Sequence, residues 1–381
     1  MSEWNNYSLG GLAEITSSKR IFYSEYVDSG IPFYRSKEVI NLFKKEPVQT
    51  ELFITQERFN EIESKFGVPK ENDILLTSVG SLGIPYLVKA SDKFYFKDGN
   101  LTWFRNIDKS LLDPKYLYIW LSSSIGKQKL DEVTIGSTQA ALTISGLKTI
   151  EIELPPLPEQ KAIASVLSSL DDKIDLLHRQ NRTLEAMAET LFRQWFIEEA
   201  KEDWEDGTLD QLIDLKYGKA LKQEDRSGSG YPVVASSGIV GFHNNYLVKG
   251  PGIVIGRKGT LGKVYFMEDN FYPIDTSYFI ETKTSGSNLI FEYYLLKSLD
   301  FANMNSDSAV PGLNRNIALG TQIQVPPEEL ILSFNGTAQP WFSKIHSNTK
   351  QIQTLEKLRD TLLPKLMSGE ARVQYQTEEV A

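Results

Sequence analysis

The stretch Leu184-Glu185-Ala186-Met187-Ala188-Glu189-Thr190-Leu191 returns later in the chain as Leu355-Glu356-Lys357-Leu358-Arg359-Asp360-Thr361-Leu362. The two stretches are separated by an offset of 355 − 184 = 171 residues. A Pro-Pro pair precedes each of them at the same offset, Pro155-Pro156 in one case and Pro326-Pro327 in the other. A Pro-Pro pair followed by a long run of helix-forming residues therefore occurs twice, which indicates an internal duplication.

The duplication extends towards the N-terminus of each copy. Trp4-x-x-x-Ser8-Leu9-x-x-Leu12 matches Trp204-x-x-x-Thr208-Leu209-x-x-Leu212 at an offset of 204 − 4 = 200 residues. Gly80-Ser81-Leu82-Gly83 matches Gly259-Thr260-Leu261-Gly262 at an offset of 259 − 80 = 179 residues. The matches keep their order while the offset falls, so the second copy has lost residues in its loops.

After each Pro-Pro pair, apolar residues recur at alternating four- and three-residue steps, which is the pattern of a coiled-coil seam. The predicted seam residues are Leu170, Ile174, Leu177, Leu184 and Leu191 in the first copy, and Ile345, Ile352, Leu355 and Leu362 in the second. We expect the two helices to pair antiparallel about an approximate two-fold axis, because duplication relates the copies. The alternative is that each helix packs on its own globular segment.

Three polar residues, Asn181, Asn348 and Arg359, occupy positions in the predicted seam. A buried polar group in a seam fixes register at a cost in stability. Alternatively, these residues lie at exposed ends or face another protein. The sequence leaves both interpretations open.

The segments outside the long helices carry short apolar runs, such as Ile74-Leu75-Leu76 and Ile253-Val254-Ile255, separated by glycines. We predict an α+β fold with a mostly antiparallel, irregular sheet in each segment and a short helix at about 114–122 and 291–298. The predicted division is a globular domain at 1–154, a helix at 155–201, a second domain at 202–325, a second helix at 326–370 and a flexible C-terminal tail at 371–381.

Composition excludes several classes of site. The 381 residues include no cysteine, which excludes cysteine catalysis, thiolate zinc sites, iron–sulfur clusters and disulfides. The three histidines are scattered, so no histidine-rich metal cluster is expected. The net charge of -9 argues against a simple basic nucleic-acid binder, but it leaves open binding through a local basic surface. The polar N-terminus and the lack of a long apolar run predict a cytoplasmic protein.

Two patterns invite a catalytic interpretation. Gly256-Arg257-Lys258-Gly259 leads to Gly262-Lys263, but its spacing does not match a phosphate-binding loop. This segment is either a structural hairpin turn or a turn that contacts a polyanion. Asp275, Glu281 and Lys283 faintly resemble the metal site of a nuclease, although the first copy has no equivalent. The sequence supports no catalytic centre.

The loops of the two copies differ in their polar side chains, although the surrounding frame is shared. Arginine and lysine pair with guanine, whereas asparagine and glutamine pair with adenine. We predict DNA binding by Lys19, Arg20, Tyr34, Arg35, Ser36, Lys37, Ser78, Ser81, Ser137, Thr138 and Gln139 in the first copy, and by Lys219, Ser236, Ser237, His243, Asn244, Asn245, Arg257, Lys258, Thr260, Lys263, Asn314 and Arg315 in the second. For each residue alone, an ordinary solvated loop is the alternative.

Three motifs carry a family resemblance: Leu154-Pro155-Pro156-Leu157-Pro158-Glu159-Gln160 before the first long helix, the duplicated helix stretch, and Gly256-Arg257-Lys258-Gly259-Thr260-Leu261-Gly262 followed by Gly312-Leu313-Asn314-Arg315. With the duplicated layout, they make the chain resemble the specificity (S) subunit of type I restriction–modification enzymes over nearly its whole length. The second copy departs from the pattern, since Glu328-Glu329 follows its Pro-Pro pair. Identical partner binding at both junctions is therefore in doubt.

The resemblance implies a non-catalytic subunit that recognises double-stranded DNA. Each globular segment would be a target recognition domain for one half of a bipartite site. The helices would fix the spacing and dock two modification (methyltransferase) subunits, which two restriction (translocase and nuclease) subunits join. S-adenosylmethionine, ATP and magnesium would belong to those partners, with no cofactor in this chain and no membrane contact. The alternatives are a metal-dependent nuclease and a protein-binding scaffold that does not contact DNA.

Overall fold

The computed structural model describes residues 4–136, 140–201, 204–304 and 312–374. The chain divides into two compact units. Unit 1 comprises Met1–Ile174 and Thr354–Ala381, and unit 2 comprises Asp175–Gln353. Each unit therefore contains part of both long helices. The five-part division made from the sequence stays a prediction.

Unit 1 combines short strands with short helices. Its strands are β1 (Asn5–Ser8), β2 (Glu14–Thr16), β3 (Ile31–Tyr34), β4 (Phe53–Ile54), β5 (Ile74–Thr77), β6 (Pro85–Leu87), β7 (Tyr95–Phe96), β8 (Leu101–Arg105), β9 (Thr134–Ile135), β10 (Ala141–Leu142) and β11 (Glu151–Leu154). Its short helices are α1 (Leu9–Leu12), α2 (Ser36–Phe43), α3 (Gln56–Phe66), α4 (Pro114–Ser122), α5 (Ser124–Glu132) and α6 (Ile144–Thr149). The first long helix, α7 (Leu157–Arg193), starts in this unit and is followed by a π-helical turn, Gln194–Glu198.

Unit 2 contains fewer helices between its strands. Its strands are β12 (Glu205–Thr208), β13 (Ile213–Tyr217), β14 (Tyr231–Ala235), β15 (Gly238–His243), β16 (Gly252–Gly256), β17 (Val264–Met267), β18 (Tyr272–Pro273), β19 (Ser277–Thr282) and β20 (Gln322–Val325). Its short helices are α8 (Ile290–Ser298) and α9 (Arg315–Leu319), and the second long helix is α10 (Glu328–Met367).

The two units share one topology. A four-stranded antiparallel sheet has the order β2-β8-β5-β6 in unit 1 and β13-β19-β16-β17 in unit 2. A three-stranded sheet has the order β4-β3-β7 and β15-β14-β18, with the last two strands of each parallel. The predicted α+β class, the duplication and the short helices α4 and α8 are confirmed. Unit 1 inserts α2, β4 and α3 where unit 2 has only β15, which explains why the sequence offset falls.

The long helices pair antiparallel within each unit, as predicted. In unit 1, Asp171 of α7 pairs with Arg359 of α10 at 3.0 Å, and Glu159 pairs further along with Arg372, which follows α10. In unit 2, Asn181 bonds to Asn348, while the Trp195 ring lies 6.2 Å from that of Phe334.

The predicted seam residues are all at least partly withdrawn from solvent. Ile174, Leu177 and Ile352 are buried, and Leu170, Leu184, Leu191, Ile345, Leu355 and Leu362 are half-buried. The polar seam residues pair across the helices. The Asn348 amide is fully buried and donates from Nδ2 to Asn181 Oδ1 at 2.9 Å. The register interpretation of these asparagines therefore has a physical basis.

The side chain of Gln160 joins the start of α7 to the start of α4. Its amide is buried, donates to the carbonyl oxygens of Leu111 and Pro155 at 2.8 Å each, and accepts from the Asp113 N–H at 2.9 Å. The backbone groups next to a helix start need such partners. This contact gives a physical reason for glutamine in the junction motif.

In unit 2, a different residue joins the long helix to the start of the corresponding short helix. The buried amide of Asn335, on α10, accepts from the Phe291 N–H at 2.8 Å and donates to Ser287 Oγ at 2.9 Å. Phe291 lies in the first turn of α8, the counterpart of α4. The divergent second junction therefore still anchors this helix, and the sequence comparison missed Asn335 because it is displaced along the helix.

Beyond α10, Arg372 donates through Nη1 to both carboxylate oxygens of Glu159, at 2.8 and 3.0 Å. The Glu159 side chain is only 2% exposed. Arg372 belongs to the segment that the sequence assigned to a flexible tail. Residues 375–381 of that segment lie outside the described residues.

We expect Gln160→Met to destabilise unit 1. Methionine keeps the volume but removes three hydrogen bonds to backbone groups, of which the one to the Pro155 carbonyl is buried, and the loss costs roughly 2–4 kcal/mol. Hydrogen exchange of peptides that cover α4, measured in increasing urea, reports the change. Gln128→Met, on the exposed face of α5, is the matched control and is expected to stay within about 0.5 kcal/mol of wild type. Equal protection in the two variants would contradict the anchoring role.

Candidate nucleic-acid interface

In unit 1, the β7–β8 loop (residues 97–100) joins three of the predicted DNA-binding segments. The Lys97 N–H donates to the Tyr34 carbonyl at 2.9 Å, and the Asp98 carboxylate pairs with Arg20 at 2.8 Å. The Asn100 carbonyl accepts from the Ser78 N–H at 2.8 Å. The structure therefore brings residues 19–20, 34–37 and 78–81 to one edge of the unit.

Several of these side chains are already engaged. The Tyr34 ring stacks on Phe94 with centroids 4.5 Å apart, and burial raises the pKa of its phenol. Arg35 pairs with Glu38 at 3.0 Å, and Ser36 Oγ lies 3.5 Å from the Asn100 carbonyl. The exposed groups are Lys19, Arg20, Lys37 and Ser81.

Ser78 does not reach the surface. Only 3% of it is exposed, and its hydroxyl lies 2.7 Å from that of Thr102 in the sheet. Its side chain is therefore a structural group rather than an available DNA contact. Ser137, Thr138 and Gln139 lie outside the described residues.

Unit 2 repeats this arrangement with the β18–β19 loop (residues 274–276). The Ile274 N–H donates to the Val234 carbonyl at 2.9 Å, as Lys97 does to Tyr34. The Thr276 carbonyl accepts from Arg257 N–H at 2.9 Å, as Asn100 accepts from Ser78. The same backbone frame thus holds the loops of both units.

The frame brings Lys219, Ser236 and the 256–263 turn together. The Lys219 N–H donates to the Pro273 carbonyl at 3.0 Å, and the Ser236 N–H reaches Thr276 Oγ1 at 3.4 Å. A groove of about 580 Å³ opens between these segments. It is lined by Gln223, Arg226, Ala235, Ser236, Ser237, Val240, Lys258, Gly259, Ile274 and Thr276. Gln223 and Thr276 were missed from the sequence, although Gln223 corresponds to Tyr23 at the offset of 200.

The 256–263 turn presents cations on a fixed backbone. Gly259 and Gly262 have φ values of +81° and +69°, in the left-handed region that favours glycine. The Arg257 guanidinium lies over the Tyr217 ring at 4.8 Å and donates to the Asp275 carbonyl at 3.2 Å. Lys258, Thr260 and Lys263 are exposed.

His243, Asn244 and Asn245 lie at the other end of the β14–β15 hairpin from Ser236 and Ser237. His243 is opposite Tyr231 in the strand register, and its Nδ1 is buried without a hydrogen-bond partner among the described residues. Asn244 and Asn245 are exposed. They form a separate polar patch on unit 2.

Asn314 and Arg315 have structural roles. The Asn314 side chain caps α9 by accepting from the Asn316 and Ile317 N–H groups at 2.9 and 3.3 Å. Arg315 donates to the Leu215 carbonyl at 2.7 Å and pairs with the Asp214 carboxylate. The hydrogen bond from Lys216 lowers the pKa of Asp214 most, and the hydrogen bond from Arg315 lowers it further. The Arg315 contacts anchor α9 to β13. The side chains of Asn314 and Arg315, both predicted to bind DNA, are therefore engaged within the protein.

The predicted nuclease residues are not gathered into a site. Asp275 precedes β19, and Glu281 is near the far end of that strand. Because an extended strand rises about 3.3 Å per residue, the strand holds the two carboxylates well apart. Glu281 instead pairs with Lys216 at 3.4 Å, and Lys283 donates to the Asp210 carbonyl. Within the described ranges, no group of three or more His, Asp or Glu side chains is placed to hold a metal.

The family described as "Type I restriction modification DNA specificity domain" matches residues 1–186 and 201–333. The chain belongs to this family. Its relatives include the type I restriction enzyme MjaIX specificity subunit of Methanocaldococcus jannaschii, which is 28% identical over 98% of this chain and 94% of the relative. A putative type I specificity subunit of Mycoplasma genitalium, S.MgeORF438P, is 26% identical over 78% of this chain and 81% of the relative.

A solved structure shares this fold. The type I restriction–modification S subunit from M. genitalium superposes with a TM-score of 0.70 at 22% sequence identity, covering 96% of each chain. As a specificity subunit, this protein recognises DNA, and catalysis lies in partner subunits. The nuclease and scaffold alternatives are not favoured. No helix in the described parts of the chain is long and apolar enough to cross a membrane.

We expect the double variant Lys258→Ala/Lys263→Ala to bind all DNA duplexes more weakly, since both lysines are exposed on the turn. Each lost phosphate contact reduces the slope of log affinity against log salt by about 0.9. Arg257 is left intact because its guanidinium packs on tyrosines. Salt titrations of the assembled complex give the slope, and Lys249→Ala, at the opposite end of β16, is the control. A wild-type slope in the double variant would make the turn purely structural.

Proposed function

We propose that this specificity subunit reads a bipartite DNA target, with the β-rich part of each unit reading one half. The observation that carries the proposal is the shared frame of the two loops that follow β7 and β18. Equivalent backbone hydrogen bonds hold the neighbouring segments in both units, while the exposed side chains differ. Two readers with one architecture and different chemistry suit two different half-sites.

The predicted contacts divide into two kinds. Lys19, Arg20 and Lys37 in unit 1, and Lys258 and Lys263 in unit 2, are exposed cations suited to phosphates. Ser237 is an exposed hydroxyl group in the unit 2 groove, suited to a base edge. Ser236 lines the same groove but is only 7% exposed, so it forms part of the groove wall. The net charge of -9 fits a subunit whose DNA affinity is shared with its partners.

The same proposal includes the partners. Two modification subunits dock on the long helices and two restriction subunits complete the assembly, which works on DNA in the cytoplasm. S-adenosylmethionine, ATP and magnesium belong to these partners. This part rests on the family resemblance, and the long helices, with exposed apolar residues such as Leu176, Met187 and Leu358, offer the docking surface.

We also propose that the helix pair sets the spacing between the half-sites. The heptad seam supports this, because it prevents either helix from sliding without exposing apolar side chains. The Asn181–Asn348 hydrogen bond and the Asp171–Arg359 ion pair also favour one register, because each joins a particular residue of α7 to a particular residue of α10.

Exchanging residues 202–325 for the matching segment of another specificity subunit is expected to change one half of the target and leave the other intact. The reason is that the exchanged segment carries all the unit 2 loops around the 274–276 loop. Methylome sequencing of a host that carries the complex reads both halves. A chimera that alters both halves would show that the domains do not read independently.

Adding seven residues to each long helix is expected to widen the spacer by at most about three base pairs. A heptad keeps the seam in phase and lengthens each helix by about 10 Å, against about 3.4 Å for each base step. Affinity falls because the duplex must twist to match. The half-site sequences stay the same, since no reading loop is touched. An unchanged spacer at full activity in the methylation motif would refute the spacing role.

A further inference from the structure

A short 3-10 turn lies at the same place in each unit, Tyr23–Glu25 in unit 1 and Gln223–Asp225 in unit 2. The first residues of the turns are related by 223 − 23 = 200, the offset that relates the N-terminal parts of the copies. The closing hydrogen bonds also match. Tyr26 N–H donates to the Tyr23 carbonyl, and Arg226 N–H to the Gln223 carbonyl, both at 3.3 Å.

Charged side chains tie both turns to neighbouring segments. In unit 2, the Arg226 guanidinium donates to the carbonyls of Val240 at 2.9 Å and Leu221 at 3.4 Å. In unit 1, Glu25 pairs with Arg58 at 2.7 Å. Because the backbone of such a turn is already ordered, binding a ligand costs only the freedom of the side chain itself, which favours recognition.

The first side chain of each turn is free to contact a ligand. Gln223 is exposed and lines the groove with Ser236, Ser237, Lys258 and Thr276. Within the described residues, no hydrogen bond occupies its amide.

In unit 1, Tyr23 is 90% exposed, and among the rings of the described residues it meets only the edge of Tyr26, at 6.4 Å. A large aromatic residue so exposed on a fixed turn, next to the Lys19 and Arg20 segment, has an apolar face available for a partner. Aromatic and other apolar groups contact the methyl group of thymine, whereas glutamine pairs with the N6 and N7 edge of adenine.

We propose that Gln223 and Tyr23 are equivalent base-reading residues. Gln223 reads an adenine in one half of the target, and Tyr23 contacts a thymine methyl group in the other. The lysines of the 256–263 turn position the duplex, while Gln223 supplies sequence selectivity. This inference rests on the proposed function, since it assigns residues to the two readers.

The experiment compares the methylation motif of the wild-type complex with those of Gln223→Ala and Tyr23→Ala in the full-length chain. We expect each variant to relax one base position in a different half, with discrimination there reduced by about 5- to 150-fold. Gln223→Arg should replace adenine by guanine at the Gln223 position, because arginine pairs with guanine. Tyr23→Phe keeps the ring and should keep the wild-type motif.

Lys222→Ala is the matched control, because Lys222 adjoins the turn but does not line the groove. Motifs identical to wild type in both alanine variants would overturn the inference and leave the proposed function intact. Total loss of methylation in both Gln223 variants, with the chain still folded by circular dichroism, would also overturn it, since losing one base reader weakens binding only partly. A wild-type motif without two parts would instead overturn the proposed function itself.

Discussion

Each compact unit completes its hydrophobic core with residues from both long helices. In unit 1, Ile163 and Leu167 of α7 and Leu366 and Met367 of α10 join the core of the β-rich part. In unit 2, Ala188 and Phe192 of α7 and Phe334 and Ala338 of α10 do the same. The end of each helix is therefore buried in the unit built mainly by the other copy. Neither copy closes its core alone, and this shared burial is the constraint on which the arrangement depends.

The two units share a backbone frame, whereas their exposed side chains differ. Backbone hydrogen bonds and glycine turns make the frame, as the matched φ values of +81° at Gly80 and Gly259 show. Backbone contacts tolerate almost any side chain, so the exposed groups are able to differ between the copies. In unit 2 the turn carries Arg257, Lys258 and Lys263, whereas the corresponding turn of unit 1 is neutral. The two units therefore offer unequal charge to a DNA backbone at this turn.

Much of the fold could be predicted because its signals are local or repeated. The heptad seam was enough to predict the helix pair. The matched motifs, with their ordered sequence offsets, were enough to predict the duplication. The predicted binding residues fared differently, because side-chain availability depends on tertiary contacts. Ser78 is buried against Thr102, 24 residues away in sequence, and Arg315 is bound to Asp214, 101 residues away. Asn314 differs, because the capping contact that engages its side chain is local. Gln223 was missed because its counterpart in the first copy is an aromatic residue with no evident polar role.

In the function that we propose, each unit reads its own half of the target. Hydrogen–deuterium exchange of the assembled complex tests it most directly, with duplexes in which one half-site is scrambled at a time. Scrambling one half should remove DNA-dependent protection from the 97–100 loop and its neighbours in unit 1, and leave the 274–276 loop of unit 2 protected. Scrambling the other half should do the reverse. Equal loss of protection in both units, whichever half is scrambled, would show that the two units do not read separate halves.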